Sequence, residues 1–79
     1  MPEVEIYTTP SCSWCAATKQ FFREHNVNYT EHDVSQDQQK AQEMVTKSGQ
    51  MSVPVIDIGG KIVIGFDRPR LEKLLGLGD

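Results

Sequence analysis

Seventy-nine residues with 38% apolar and 24% charged content make one small domain, expected to span residues 1–79, and leave too little chain for a second core. Eight Lys and Arg against eleven Asp and Glu give a formal net charge of -3, which argues against a chain that must neutralise many phosphates and so against nucleic acid as a ligand. Apolar runs such as Ile62-Val63-Ile64 fall far short of the roughly 20 residues of a membrane helix, and no basic stretch followed by an apolar one opens the chain; no membrane association and a cytoplasmic location are expected.

Val4 and Ile6 alternate with Glu3 and Glu5, which predicts a strand over 3–8 with one face turned inward, ended by Pro10. Over 13–25, Trp14, Ala17, Thr18, Phe21 and Phe22 recur at three- and four-residue spacing, one stripe of an amphipathic helix that Asn26 stops. The segment 27–34 carries Val27, Tyr29, Thr30 and Val34 and predicts a second strand. Two strands joined through a helix run parallel with a right-handed crossover, so these two should lie side by side. A second helix follows, capped by Ser35 or Asp37, with Ala41, Met44 and Val45 as its apolar stripe and Gly49 as a left-handed terminator. Val55-Ile56-Asp57-Ile58 and Lys61-Ile62-Val63-Ile64 flank Gly59-Gly60, and a diglycine supplies the positive φ that a tight antiparallel hairpin needs. Leu71, Leu74 and Leu75 predict a short last helix, with Asp67 as its N-cap and Pro69 in its first turn. The order is β-α-β-α-β-β-α, an α/β chain of which only the last three residues are expected to fray.

Two cysteines are too few for the disulfide framework of a small secreted protein, and a Cys12–Cys15 bridge closes too short a loop to constrain the unfolded chain much. Chemistry is the better expectation. Cys12-Ser13-Trp14-Cys15 falls where the first strand hands over to the first helix, so Cys12 meets unsatisfied backbone N–H groups and the positive end of a helix dipole. Both favour a thiolate, and cysteines in such settings drop from about 8.5 into the range of about 3.5 to 7.5. Cys12 is thus the expected nucleophile, and Cys15, about one turn inside the helix, the thiol that resolves its mixed disulfide. Helical neighbours three apart hold their Cβ atoms roughly 5 to 6 Å apart, whereas a disulfide wants about 3.5 to 4.5 Å, so a bridge is expected to distort the first turn and to open readily. The alternative for a C-x-x-C is half of a zinc site; only His25 and His32 are available to complete four ligands, they lack the spacing of a second pair, and both are expected to be solvated.

Ile6-Tyr7-Thr8-Thr9-Pro10-Ser11-Cys12-Ser13-Trp14-Cys15, then Ser52-Val53-Pro54, then Gly65-Phe66-Asp67 resemble a glutaredoxin-like protein of the thioredoxin fold over nearly the whole chain. The resemblance implies a four-stranded mixed sheet with helices on both faces, and dithiol-disulfide exchange through Cys12 and Cys15. It also implies a cis Val53–Pro54 bond, against the general preponderance of trans X-Pro bonds. By the same resemblance Ser13, Trp14, Ser52, Val53, Pro54, Gly65, Phe66 and Asp67 bind the substrate or glutathione. No bound cofactor is implied; glutathione is the possible co-substrate, glutathione or a thioredoxin reductase the reductant, disulfide-containing proteins the partners, and a monomer the expected state.

The match to glutathione-dependent members is partial. Thr9 stands where a lysine is usual, Gln50 where an arginine is, and Asp67-Arg68 where two acids are, which leaves Asp67 as the candidate partner of the glutathione amino group. Ala17-Thr18-Lys19 and Gly65-Phe66-Asp67-Arg68-Pro69 are similar instead to redoxins that take electrons from thioredoxin reductase and serve ribonucleotide reductase, with one acidic residue inserted. Ser13 replaces a proline common in the family, and some members with a small residue there hold an iron-sulfur cluster across a dimer. A metal or cluster carrier using the same cysteines is therefore the second reading. Trp14 is expected to cover the site or meet a partner, Met51 to line the groove or fill a gap, Phe66 and Tyr7 to flank the site, Phe21 and Phe22 to pack, and Lys19, one turn from Cys15 and two from Cys12, to be an exposed lysine in preference to one that favours the thiolate.

Overall fold

Alternation along the first strand decides the architecture. In the computed structural model, which describes residues 3–77, the chain forms β1 (Val4–Thr8), α1 (Ser13–Glu24), β2 (Thr30–Asp33), α2 (Gln38–Ser48), β3 (Val55–Ile58), β4 (Lys61–Ile64) and α3 (Arg68–Leu75). The sheet order is β2-β1-β3-β4, with β2 parallel to β1 and the β1–β3 and β3–β4 pairs antiparallel. On one face Val4 and Ile6 meet Ile56, Ile58 and Val63, and the cluster is closed by Phe21 and Phe22 of α1 and Leu71 of α3. On the other face Tyr7 and Val55 meet Met44 of α2. Helices thus cover both faces, and β1 and β3 are buried on both sides, which is why β3 shows four buried residues in a row.

The ends follow from local chemistry. Asp37, not Ser35, caps α2 by accepting the Lys40 N–H, and Gly49 closes it at φ 77°. Gly59 and Gly60 turn the hairpin at φ 58° and 94°. Asp67 caps α3, with Pro69 in its first turn.

Two expected ends move. α1 stops at Glu24, with His25 as its C-cap, and Asn26 adopts φ 56°. The Val27 N–H then donates to the Phe22 carbonyl at 2.8 Å, and the Tyr29 ring lies 5.4 Å from that of Phe22. Residues 27–29 therefore complete the helix terminus, and β2 begins only at Thr30, three residues later than their β propensity suggested. Of the three residues expected to fray, Leu77 donates its N–H to the Glu72 carbonyl at 2.8 Å and packs against the first cluster; Gly78 and Asp79 lie outside the described residues.

Met44 is the one fully buried side chain that α2 contributes, at 1% exposure, whereas Met51 beyond its end is 75% exposed. Met44→Ala should lower unfolding stability by about 2–5 kcal/mol through the cavity it leaves. Met51→Ala should stay within about 0.5 kcal/mol. Urea denaturation of both variants checks this, and equal shifts would contradict the assignment of α2 to the second face.

Candidate functional site

The register Tyr7–Val55–Ile64 carries the end of β1, the start of β3 and the end of β4 to one pole of the sheet. There the chain leaves β1, turns so that the Cys12 N–H donates to the Thr9 carbonyl at 3.3 Å, and enters α1. Cys12 is the N-cap: its backbone is extended, at φ -89° and ψ 110°, and its Sγ accepts the Cys15 N–H at 3.0 Å. Sulfur here takes the place that a serine or aspartate oxygen usually fills. No acidic side chain occupies the first turn of α1, so the helix's own first turn does not offset the positive end of its dipole at this sulfur.

Cys12 and Cys15 are bridged, with Cα atoms 5.2 Å apart, inside the ordinary span for a disulfide. The expected distortion of the first turn does not occur, because Cys12 stands outside the helix as an extended cap and its carbonyl still accepts the Ala16 N–H at 3.3 Å. Cys12 is half-buried, whereas Cys15 is 1% exposed.

The other expected site residues divide by role. Ser13 opens α1 in solvent, and Trp14 is 62% exposed with its ring 6.1 Å from that of Phe66, so it belongs to the rim and not to the buried stripe of α1. The Val53–Pro54 bond is cis. Pro54 is buried, and its carbonyl accepts the Gly65 N–H at 2.9 Å, which brings Gly65, Phe66 and Asp67 beside the segment of Ser52, Val53 and Pro54. Ser52 is exposed and its hydroxyl accepts from the Gln50 amide. Asp67 spends one carboxylate oxygen on the Arg70 N–H at 3.3 Å.

Several expectations are corrected. Tyr7 does not flank the site: it is 0% exposed and lies under α2, since it alternates with Ile6 and Thr8. His32 is not solvated; its Nε2 meets Glu5 Oε1 at 2.8 Å with the side chain 14% exposed. His25 packs its ring 4.6 Å from that of Phe21. Lys19 is committed to Glu31 at 2.8 Å, and the buried Thr8 hydroxyl donates to the same carboxylate oxygen at 2.7 Å, a link between α1 and β2 that sequence patterning missed. Among the described residues no cluster of three or more His, Cys, Asp or Glu side chains is arranged to hold a metal ion.

The family model for glutaredoxin matches residues 4–63. This chain belongs to the glutaredoxin family. A glutaredoxin-like 8.6 kDa protein in the rubredoxin operon of Clostridium pasteurianum is 38% identical over 72 residues, which cover 91% of this chain and 96% of that one. Glutaredoxin 3 of Escherichia coli K12 is 33% identical over 67 residues, covering 85% and 81%. Among solved structures, a mutant of the thioredoxin-like protein BC3987 superposes with a TM-score of 0.92 at 32% identity, covering 99% of this chain and all of that one. Glutaredoxins are thiol-disulfide oxidoreductases, and this family member is one, built on the four-stranded mixed sheet of the thioredoxin fold. No described helix is long and apolar enough to cross a membrane.

Two measurements probe this geometry. In the reduced glutaredoxin-family protein, iodoacetamide should modify Cys12 at least about tenfold faster than the buried Cys15, as peptide mapping after a short pulse reads out; equal rates would mean the helix start is open. Lys19 first, then Thr8, hold the Glu31 carboxyl below its usual 4.5 by hydrogen bonding. A depressed carboxylate stabilises the fold above that value and loses its contribution as pH falls through the lower folded value. The thermal midpoint of the unaltered protein should therefore fall more than that of Glu31→Gln between about pH 6 and about pH 3.

Proposed function

We propose that the protein reduces disulfides in other proteins through Cys12 and Cys15. The observation that carries this reading is Cys12 Sγ at the cap of α1, facing the Cys15 N–H at 3.0 Å and bridged to the sulfur of Cys15. The Cys12 thiolate attacks one sulfur of the substrate disulfide, a mixed disulfide forms, and the other substrate sulfur leaves as a thiolate that takes up a proton. Cys15 gives up its proton and attacks Cys12 Sγ, releasing the second substrate thiol and leaving the Cys12–Cys15 bridge. Two external thiols, or one external dithiol, then attack the Cys12–Cys15 bridge, are oxidised to a disulfide, and so supply the two electrons that restore the dithiol. Backbone groups beside Pro54 and the Gly65 turn border the approach to Cys12, with Ser52, Val53, Phe66 and Asp67 as the flanking contacts. A cytoplasmic setting, where thiols are kept reduced, suits this cycle.

A protein substrate is favoured over glutathione by what surrounds the pole. The large apolar side chains exposed among the described residues are Trp14 at 62%, at the start of α1, Ile64 at 49%, at the end of β4, and Met51 at 75%, on the segment leading to Pro54 and beside Ala41 and Val45 of α2. Thr9 and Gln50 stand where glutathione-dependent members carry cations, and Lys19 is paired with Glu31. Apolar flanks at such a rim fit apolar residues on either side of a protein disulfide.

With dithiothreitol as reductant, the protein should accelerate insulin reduction and show far less turnover of a glutathione mixed disulfide. Cys15→Ser should accumulate mixed disulfides on non-reducing gels, and Cys12→Ser should be inactive. Equal activity in the two cysteine variants would remove the mechanism, and preference for the glutathione substrate would remove the substrate assignment.

A further inference from the structure

β3 places a charge where a strand buried on both faces has no use for one. Asp57 sits between Ile56 and Ile58 at 8% exposure, and the register sets it directly opposite Glu5 of β1, so two carboxylates face the same side of the sheet. Like charges so paired repel, and a buried carboxylate needs a partner. Lys47, in the last turn of α2, supplies it. Its Nζ lies 2.8 Å from Asp57 Oδ2 and 3.7 Å from Glu5 Oε2, and it donates to the Tyr7 hydroxyl at 2.7 Å. Tyr7 in turn donates to Glu43 Oε2, one turn earlier on α2, at 3.1 Å. Burial works against the Lys47 ammonium, but the hydrogen bonds with Asp57 and Tyr7 outweigh it and hold its pKa well above the ordinary lysine value.

The tie has a place as well as a chemistry. α2 buries only Met44, so polar contacts decide how its end sits on the sheet. The other Asp57 oxygen accepts the Gly60 N–H at 2.8 Å and so is fixed by the β3–β4 turn. Segment 49–54 starts directly after this anchored turn and ends at Pro54, whose carbonyl is held by Gly65. It is thus pinned at both ends: its start is held to α2 by Ser48, whose hydroxyl accepts the Gln50 N–H at 3.3 Å, and the helix end that carries Ser48 is tied to the sheet through Lys47.

We propose that Lys47 is a positioning residue for disulfide exchange: by fastening the last turn of α2 to Asp57 and Tyr7 it sets the height of segment 49–54 at the Cys12 pole, and with it the fit of the substrate. The proposal builds on the dithiol reading above. It makes Lys47 and Asp57 determinants of recognition that act through the segment and not on the sulfur.

The test is insulin reduction by the full chain with Lys47→Met, Lys47→Arg and Asp57→Asn, the last keeping an oxygen for the Gly60 N–H. Lys47→Met and Asp57→Asn should each raise the KM for insulin at least threefold with kcat changed less than twofold, Lys47→Arg should recover most of the loss, and the alkylation rate of Cys12 should be unaltered. A role confined to stability would lower the thermal midpoint and leave KM as it is. Should Lys47→Met fail to fold, Asp57→Asn carries the test alone. An unaltered KM in either folded variant overturns the positioning role. A Cys12→Ser protein as active as the unaltered one overturns the dithiol reading instead.

Discussion

The burial of β1 on both of its faces is the constraint from which the site follows. A strand with Ile6 in one apolar cluster and Tyr7 in the other, paired on both edges, cannot shift by a residue without exchanging the two clusters. Its C-terminal end is therefore fixed in three directions, and the turn that leads from Thr8 to Cys12 starts from a stationary point. Phe21 and Phe22 then hold α1 against the same strand, so the N-terminus of that helix can aim only where Cys12 stands. The sheet thus fixes where the helix start stands, and the extended cap conformation of Cys12 brings its sulfur to the N–H donor.

Most of this was legible along the chain wherever one residue type had one physical use. Gly59-Gly60 permits little except a tight hairpin, and Asp67 followed by Pro69 is a helix start whichever protein carries it. Cys12 and Cys15 were legible as chemistry from their spacing at a strand-to-helix junction. The cis bond before Pro54 was not visible in the residues and came only from family resemblance. Where reading failed, a tertiary partner had overruled a local preference. Val27 and Tyr29 favour strands, yet their contacts go to Phe22, and the helix end claims them. His32 looked solvated because nothing in its own segment pairs with it; its partner Glu5 is 27 residues away. Asp57 did carry a signal, as the lone charge in a run of β-branched residues, but the residue that satisfies it lies on another element.

The two faces of the sheet are held by different physics. The α1–α3 side is an apolar cluster of nine buried residues, for which area removed from water is the main source of cohesion. The α2 side has three, with Val34, Val53 and Ile62 packed at their margin, and adds the polar contacts of Lys47, Asp57, Glu43 and the Tyr7 hydroxyl. Partly buried ion pairs add little net stability when set against apolar replacements, because each charge must first be stripped of water. They do, however, have directions. A network that fixes angles and distances suits a helix whose end must stop at one height better than an apolar contact that tolerates sliding.

That division separates reactivity from recognition. The electrostatics at Cys12 come from α1, whose seat on the sheet is mainly apolar and carries one charged tie, from Lys19 to Glu31. The segment proposed to border the approaching substrate comes off α2, whose seat combines a small apolar cluster with directional ion pairs. Changes on the α2 side can thus alter which disulfide is accepted while the nucleophile keeps its cap, its N–H donor and its uncompensated dipole. On the proposed positioning role, a small domain can vary its partners without losing its chemistry, since the nucleophile and the flanking segment are anchored through opposite sides of a single strand.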